Sequence, residues 1–444
     1  MTDSKGRLLG RVRRVGVGLA ATAALLALFR AGASAWGQSR LRDYRDATRA
    51  EWDAERARIR ERSRPAGEGA AQEDCGASYA RTASIQLDVH PEWVKRALEA
   101  GPGAPLSPEL AAEIERRRPE IDAFRQMARC SRYELPDESA WIEYGPIHPV
   151  WHANRAVLVQ GRWLEAKGDA RGALDRYLTV AKVGADLSAG SAIAGLIGIH
   201  DAGRAYRRAA ALVAGAPRLP AAELAELDRA LEERGRHLPR LADVLRRERL
   251  RLRQVAMRLS DGGPLPEEEL RPLASSTGAR ALITVLPMAA VFGHALPPLD
   301  AQLRAAEQMA LGAQRDASQV TRFQEAAADS LAADVTGLGA MLDAEHLQRT
   351  ARMDCALRAS YLLARAAVQA ELAYADGGYP EALRALPQDP CGTGPLVYER
   401  SPGGDGYTLS SVGENGTADG PRAAGGAAGD SDDIVVARQG SDVL

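Results

Sequence analysis

The residues best suited to chemistry in this 444-residue chain stand near its C-terminus. Asp430, Asp432 and Asp433 close a Gly/Ala-rich stretch that begins at Gly420. Calcium takes hard oxygen ligands, carboxylate and backbone carbonyl alike, and accepts the irregular geometry of a loop. The stretch is either such a loop or a solvated linker whose aspartates simply keep it in water. His148-Pro-Val-Trp-His152 is a second candidate, two imidazoles four residues apart on one helix face. It lacks both the glutamate of a zinc-peptidase helix and a third ligand, and Pro149 marks a helix start. A structural role for both histidines is therefore the expectation. Arg246, Arg247, Arg249, Arg251, Arg253 and Arg258 form a basic run, interrupted by Glu248 and followed by Glu267, Glu268 and Glu269. No nucleic-acid-binding module accompanies it, so it reads as a solvated helix face, open to an acidic partner. Nucleophile elbow, phosphate-binding loop and dinucleotide fingerprint are all missing, and Ser410-Ser411 has no base beside it. No catalytic residue is assigned on this reading, although sites assembled from distant residues leave no motif.

Four cysteines, Cys75, Cys130, Cys355 and Cys391, show no metal-ligand spacing. Behind an export signal they permit two disulfides in any of three pairings, against four buried thiols. Cys355 with Cys391 is the expected pair. A helix running on from Cys355 and a return through the following turn can bring them together. That bond would fix a small sheet against its helix.

The elements that must position these groups are mostly helical. Aromatic residues make up 5% of the chain and hydrophobic residues 45%, so the core is built from Ala, Leu and Val. The net charge of −2 gives no pull toward nucleic acid. Only Lys5, Lys95, Lys167 and Lys182 among 57 basic residues are lysine, a compositional bias rather than a functional signal. A basic tail (1–14) precedes the apolar run Val15–Phe29. This predicts a signal anchor over 15–36, with the N-terminus cytoplasmic and the bulk of the chain periplasmic. The alternative is a signal peptide cleaved after Ala33-Ser34-Ala35. Residues 37–80 read as a solvated stalk helix, its apolar stripe thin (Leu41, Tyr44, Trp52, Ile59), and a linker at Pro65.

Residues 81–335 read as an α-helical domain. Ser107-Pro108 opens a helix to Cys130. Residues 150–186 form a tetratricopeptide-like hairpin broken at Lys167-Gly168-Asp169, with no repeat after it. Further helices are expected at 188–214, 220–235, 237–260 and 298–330. Ala281–Ala295, split by Pro287, reads as a short buried helix. A last helix, 341–375, ends at Asp376-Gly377-Gly378. Beyond it, Pro395–Arg400 and Gly406–Val412 flank a Ser-Pro-Gly-Gly-Asp-Gly turn as a β-hairpin, and Ile434–Val436 offers a third strand.

This order of pieces, a helix, Tyr379-Pro380, Asp389-Pro390, a hairpin and an acidic loop, resembles the globular region of type II secretion major pseudopilins. The resemblance covers residues 340–438 and implies a small α+β head closed by a calcium loop. It adds the carbonyls of Leu409 and Val412 to the aspartates, with Asn415 where the family has an acidic residue and Asp419 as a substitute charge. The family's N-terminal processing site is missing, which argues against a fibre subunit. The whole reading is a mainly α protein: a membrane-anchored helical body followed by a pseudopilin-like head. As an expectation it is a non-enzymatic scaffold of the bacterial envelope. It would touch the inner membrane and other envelope proteins, take calcium, bind no nucleic acid, and be accessory to a secretion- or pilus-type system. The alternative is an extracytoplasmic enzyme or ligand receptor with its site in the helical body.

Overall fold

A computed structural model describes residues 3–62, 74–84, 91–99, 104–130, 147–215, 219–260, 288–313, 344–375, 378–383, 386–413 and 433–438. These are mainly helical, with a three-stranded antiparallel sheet near the C-terminus. The chain divides into two compact units. One holds residues 1–52, 250–302 and 333–341; the other holds 53–249, 303–332 and 342–444.

The first helix, α1 (Asp3–Arg62), runs unbroken through the apolar segment and on through the expected stalk helix as far as Arg62. The stalk is not solvated. Leu41, Thr48, Trp52, Glu55 and Ile59 are all buried, about one position per helical turn, so the thin stripe is a packed seam. Sparse apolar residues hid it, because Thr48 and Glu55 fill two of its positions.

In the larger unit, α2 (Cys75–Ala80), a 3₁₀ turn (Arg81–Ser84) and α3 (Pro91–Glu99) lead to α4 (Pro108–Arg116) and α5 (Arg118–Met127). The Ser107 hydroxyl accepts from Leu110 N at 3.3 Å, which is the expected cap. The single helix expected as far as Cys130 breaks at Arg117, since Pro119 lacks an amide hydrogen and crowds the preceding turn. The hairpin follows as α6 (Ile147–Ala166) and α7 (Ala170–Leu187). Between them Gly168 takes φ +81°, and Asp169 caps α7 by accepting from Gly172 N at 2.8 Å.

Next come α8 (Ala192–Gly215), α9 (Ala221–Gly235), α10 (Leu241–Ser260) and α11 (Met288–Ala313). The segment expected as a short buried helix over 281–295 lies partly outside the described residues; from Met288 it is the start of α11. Helix α12 (Ala344–Ala375) packs against α8 and α9. Tyr361 meets the Tyr206 ring edge-on at 5.4 Å, and its hydroxyl donates to the Leu231 carbonyl at 3.0 Å.

The sheet orders β1 (Val397–Arg400), β2 (Tyr407–Ser411) and β3 (Ile434–Arg438), all antiparallel. Tyr407, Leu409 and Ser411 alternate into the core with Ile434 and Val436, and this face lies on α8 and α12. The helix that carries the sheet is a member of the helical bundle, and Arg438 reaches the Ala214 carbonyl of α8 at 3.3 Å.

Candidate functional site

The acidic loop leaves and rejoins the sheet at one end. Ser411 pairs with Ile434, so Val412 and Asp433 are the next residues on either side, facing each other beyond the ladder. Leu409 sits inside the central strand, buried, with neighbours in both flanking strands. Of the predicted ligands, Leu409, Val412 and Asp433 are thus brought to one sheet. Asn415, Asp419, Asp430 and Asp432 lie outside the described residues.

Beside this end stands a carboxylate that sequence reasoning used only as a turn marker. Asp389 is buried, and its Oδ1 accepts from Cys391 N and the Ser411 hydroxyl, each at 2.9 Å. Its Oδ2 accepts from Val412 N at 2.9 Å. Three donors satisfy the charge, so Asp389 locks the turn to the loop's point of departure. Ligand chemistry at this end is left to the loop.

The arginine run is the largest correction. Arg247, Arg249, Arg251 and Arg253 are buried. In the larger unit, Arg247 donates to Glu55 at 2.9 Å and to the Ser188 carbonyl. Arg246 joins Glu307 at 2.6 Å and Asp243 at 3.0 Å, and Arg249 meets the same Glu307 at 3.4 Å. Glu248 accepts from Ala192 N at 3.1 Å, capping α8 from another helix. In the smaller unit, Arg253 makes a two-pronged contact with Asp300 at 2.5 and 2.8 Å and reaches Glu51 at 2.9 Å. The run is not a solvated face but a set of interior clamps. Its carboxylates come from segments up to two hundred residues away, which no local pattern reveals.

A second buried polar node lies among α6, α7 and α8. Glu165 accepts from the Tyr177 hydroxyl at 2.6 Å, with Arg162 at 2.6 Å and Arg208 at 3.1 Å. Burial pushes its carboxyl up, but Arg208, the Tyr177 hydrogen bond and Arg162 together outweigh that and hold it below the usual range. Burial, and then the Glu165 charge, raise Tyr177 far above the ordinary phenol. Asn154 donates to Asp201 at 2.9 Å on the same pair of outer helices.

His148 and His152 lie at the start of α6, with Pro149 in its first turn as expected. Both flank the Trp151 ring, at 6.3 and 5.3 Å, and the Arg155 guanidinium lies over that ring at 4.9 Å. The geometry is a cation–π contact with two tilted ring pairs at a helix start.

Both disulfides form, Cys75–Cys130 and Cys355–Cys391, each with Cα atoms 5.1 Å apart. The second is the expected pair. Near the N-terminus, Leu25, Leu26, Leu28 and Phe29 of α1 are all more than half exposed, and Trp36 lies 5.9 Å from the Arg40 guanidinium. Among the described residues no helix is long and apolar enough to cross a membrane; ten residues of the apolar run, 15–24, lie outside those whose side chains are described. No protein-family model, no curated protein and no solved structure matches the chain.

Proposed function

We propose that this chain is a non-enzymatic scaffold or interaction protein of the bacterial envelope. It is held at the inner membrane by α1, with the remainder periplasmic, and serves a secretion- or pilus-type assembly. The reading rests first on α1. Its residues Leu25, Leu26, Leu28 and Phe29 present apolar surface to the surroundings, whereas further on the same unbroken helix buries Leu41, Trp52 and Ile59. Apolar side chains left outside are stable in lipid and costly in water, at about 25 cal/mol per Å². Trp36 beside Arg40, about 10 Å further along the helix, suits the headgroup layer. Two disulfides agree with an oxidising compartment.

The sheet at the end of the chain is proposed as the pseudopilin-like part of the molecule. Its loop takes calcium through carbonyls of Leu409 and Val412 and carboxylates of Asp419, Asp430, Asp432 and Asp433, with Asn415 as a neutral ligand. Val412 and Asp433 fit this, since the register sets them opposite each other at the loop's base. The ion would tie the two ends of the loop together.

The full chain should stay with the membrane through alkaline carbonate extraction, and a form beginning at Trp36 should be released. Release of the untrimmed chain would overturn the anchor. After in-cell crosslinking and gentle detergent extraction, the chain should carry other envelope proteins with it; recovery of the chain alone would overturn the scaffold. Millimolar calcium should raise the thermal midpoint of the full chain by mass action. Replacing Asp432 and Asp433 by Ala should remove that rise, and an unmoved midpoint in the parent chain would rule the loop out.

A further inference from the structure

The sulfurs of one disulfide have a cation set against them. Lys182 Nζ lies 3.5 Å from Cys75 Sγ and 3.4 Å from Cys130 Sγ. Asp186, one turn further along α7, holds the ammonium at 2.6 Å, and the Tyr79 hydroxyl donates to the same Asp186 oxygen at 2.6 Å. Both cysteines are buried, while the Lys182 side chain is 26% exposed, so the bond lies one side chain beneath the surface. In a chain with four lysines among 57 basic residues, one of the four stands here.

An ammonium does little for an intact disulfide, because neither sulfur carries charge. It acts when the bond opens and a sulfur leaves as thiolate. Among the described residues, Asp186 lies beside the sulfurs and Asp74 precedes Cys75 in the chain. The Asp186 oxygen lies within 4.8 Å of both sulfurs and is bonded to the ammonium at 2.6 Å, and the Asp74 carboxylate accepts from the Ala77 amide at 3.2 Å. At the other disulfide no ammonium is found among the described residues. The Arg352 carbonyl oxygen, a partial negative charge, lies 3.2 Å from Cys355 Sγ.

We propose that Cys75–Cys130 is a thiol–disulfide exchange site, opened by a dithiol reductant and served by Lys182. A thiolate of the reductant attacks one sulfur. The Cys75–Cys130 bond breaks, a mixed disulfide forms, and the other sulfur leaves as a thiolate against the ammonium. Because the two distances are nearly equal, either sulfur can be the leaving group. The second thiol of the reductant then attacks the mixed disulfide, closes its own disulfide and frees the second cysteine. Two electrons pass from the dithiol to the protein, and its two thiol protons reach Cys75 and Cys130 through solvent. The product is a chain in which α2 is no longer tied to the end of α5, while Cys355–Cys391 remains closed. None of this depends on the anchor or the calcium loop.

The test treats the oxidised full chain with limiting dithiothreitol at pH 8. Acid quenching and alkylation are followed by quantification of each cysteine by mass spectrometry. Cys75 and Cys130 should become free at least about tenfold faster than Cys355 and Cys391. Lys182→Met should slow the first pair severalfold and leave the second unchanged, whereas Lys182→Arg should keep much of the rate. In the reduced protein, the first of the two thiols to ionise should be alkylated with an apparent value below the ordinary one of about 8.5, and that value should rise in Lys182→Met. The unchanged Cys355–Cys391 rate reports that the variant has folded. Equal opening of the two bonds, opening only in denaturant, or an unaltered or faster rate in Lys182→Met would each overturn the proposal.

Discussion

Glu165 is a buried carboxylate whose neighbours decide its state. Arg162, Arg208 and the Tyr177 hydroxyl surround it, and removing its charge would leave two guanidinium groups inside the bundle without it. Glu165→Gln should therefore cost on the order of 3–5 kcal/mol, read as a lower urea midpoint at pH 7. The pH dependence has a definite sign. The folded carboxyl titrates below its unfolded value, so its stabilisation is complete above that value, about 4.3, and is lost as pH falls through the folded one. Acid should weaken the parent chain below about pH 4, and the variant's urea midpoint should fall less over the same range. An equally steep fall in the variant would assign the acid sensitivity to other carboxylates.

Among the elements, α7 and α8 meet backbone to backbone. A Cβ built on Gly184 would come within 2.5 Å of the Gly198 carbonyl oxygen, which is backbone and cannot swing aside. Gly184→Ala should force the helices apart and cost about 1–3 kcal/mol or more, checked by thermal unfolding; a midpoint unchanged or raised would contradict the contact. The same substitution at an exposed helix position would be mildly favourable, since alanine is the better helix former. Helix α10 poses the complementary case. Arg247→Met takes from the buried Glu55 its partner at 2.9 Å, leaving Arg58 at 3.2 Å and Arg246 at 3.4 Å, and should cost about 1.5–3 kcal/mol, whereas adding Glu55→Leu should recover part of it. A double variant as weak as the single one would mean that packing, and not the weakened ion pair, carries the loss.

At the scale of the molecule, the sheet and its helix are built into the larger unit rather than appended to it. Helix α12 buries Leu357, Tyr361, Leu363 and Val368, and Asp354 accepts from Leu241 N at 3.1 Å. A fragment of residues 340–444 would expose that surface and keep only a three-stranded sheet, which is marginal alone. It should lack a cooperative unfolding transition, by circular dichroism, even with Cys355–Cys391 closed. A sharp transition in the fragment would restore the idea of a separate head. For this reason calcium is best measured on the full chain.

Local features were legible from residue types. The Ser107 cap, the break at Lys167-Gly168-Asp169 and the hairpin around Ser401–Gly406 follow from short-range rules, in which the informative residues are neighbours, while the Cys355–Cys391 pair, 36 residues apart, follows from helix length and the reach of the returning chain. What only the tertiary structure decided is where charge goes. The arginines of α10 looked solvated because their partners, Glu51, Glu55, Asp300 and Glu307, come from α1 and α11. A charged side chain can be buried once its counter-charge arrives, and nothing within one helix tells whether it will. Lys182 between two sulfurs, Glu165 between two guanidiniums and Asp389 under three donors were unreadable for the same reason. Periodicity records which side of an element is inside, but not which polar groups meet there.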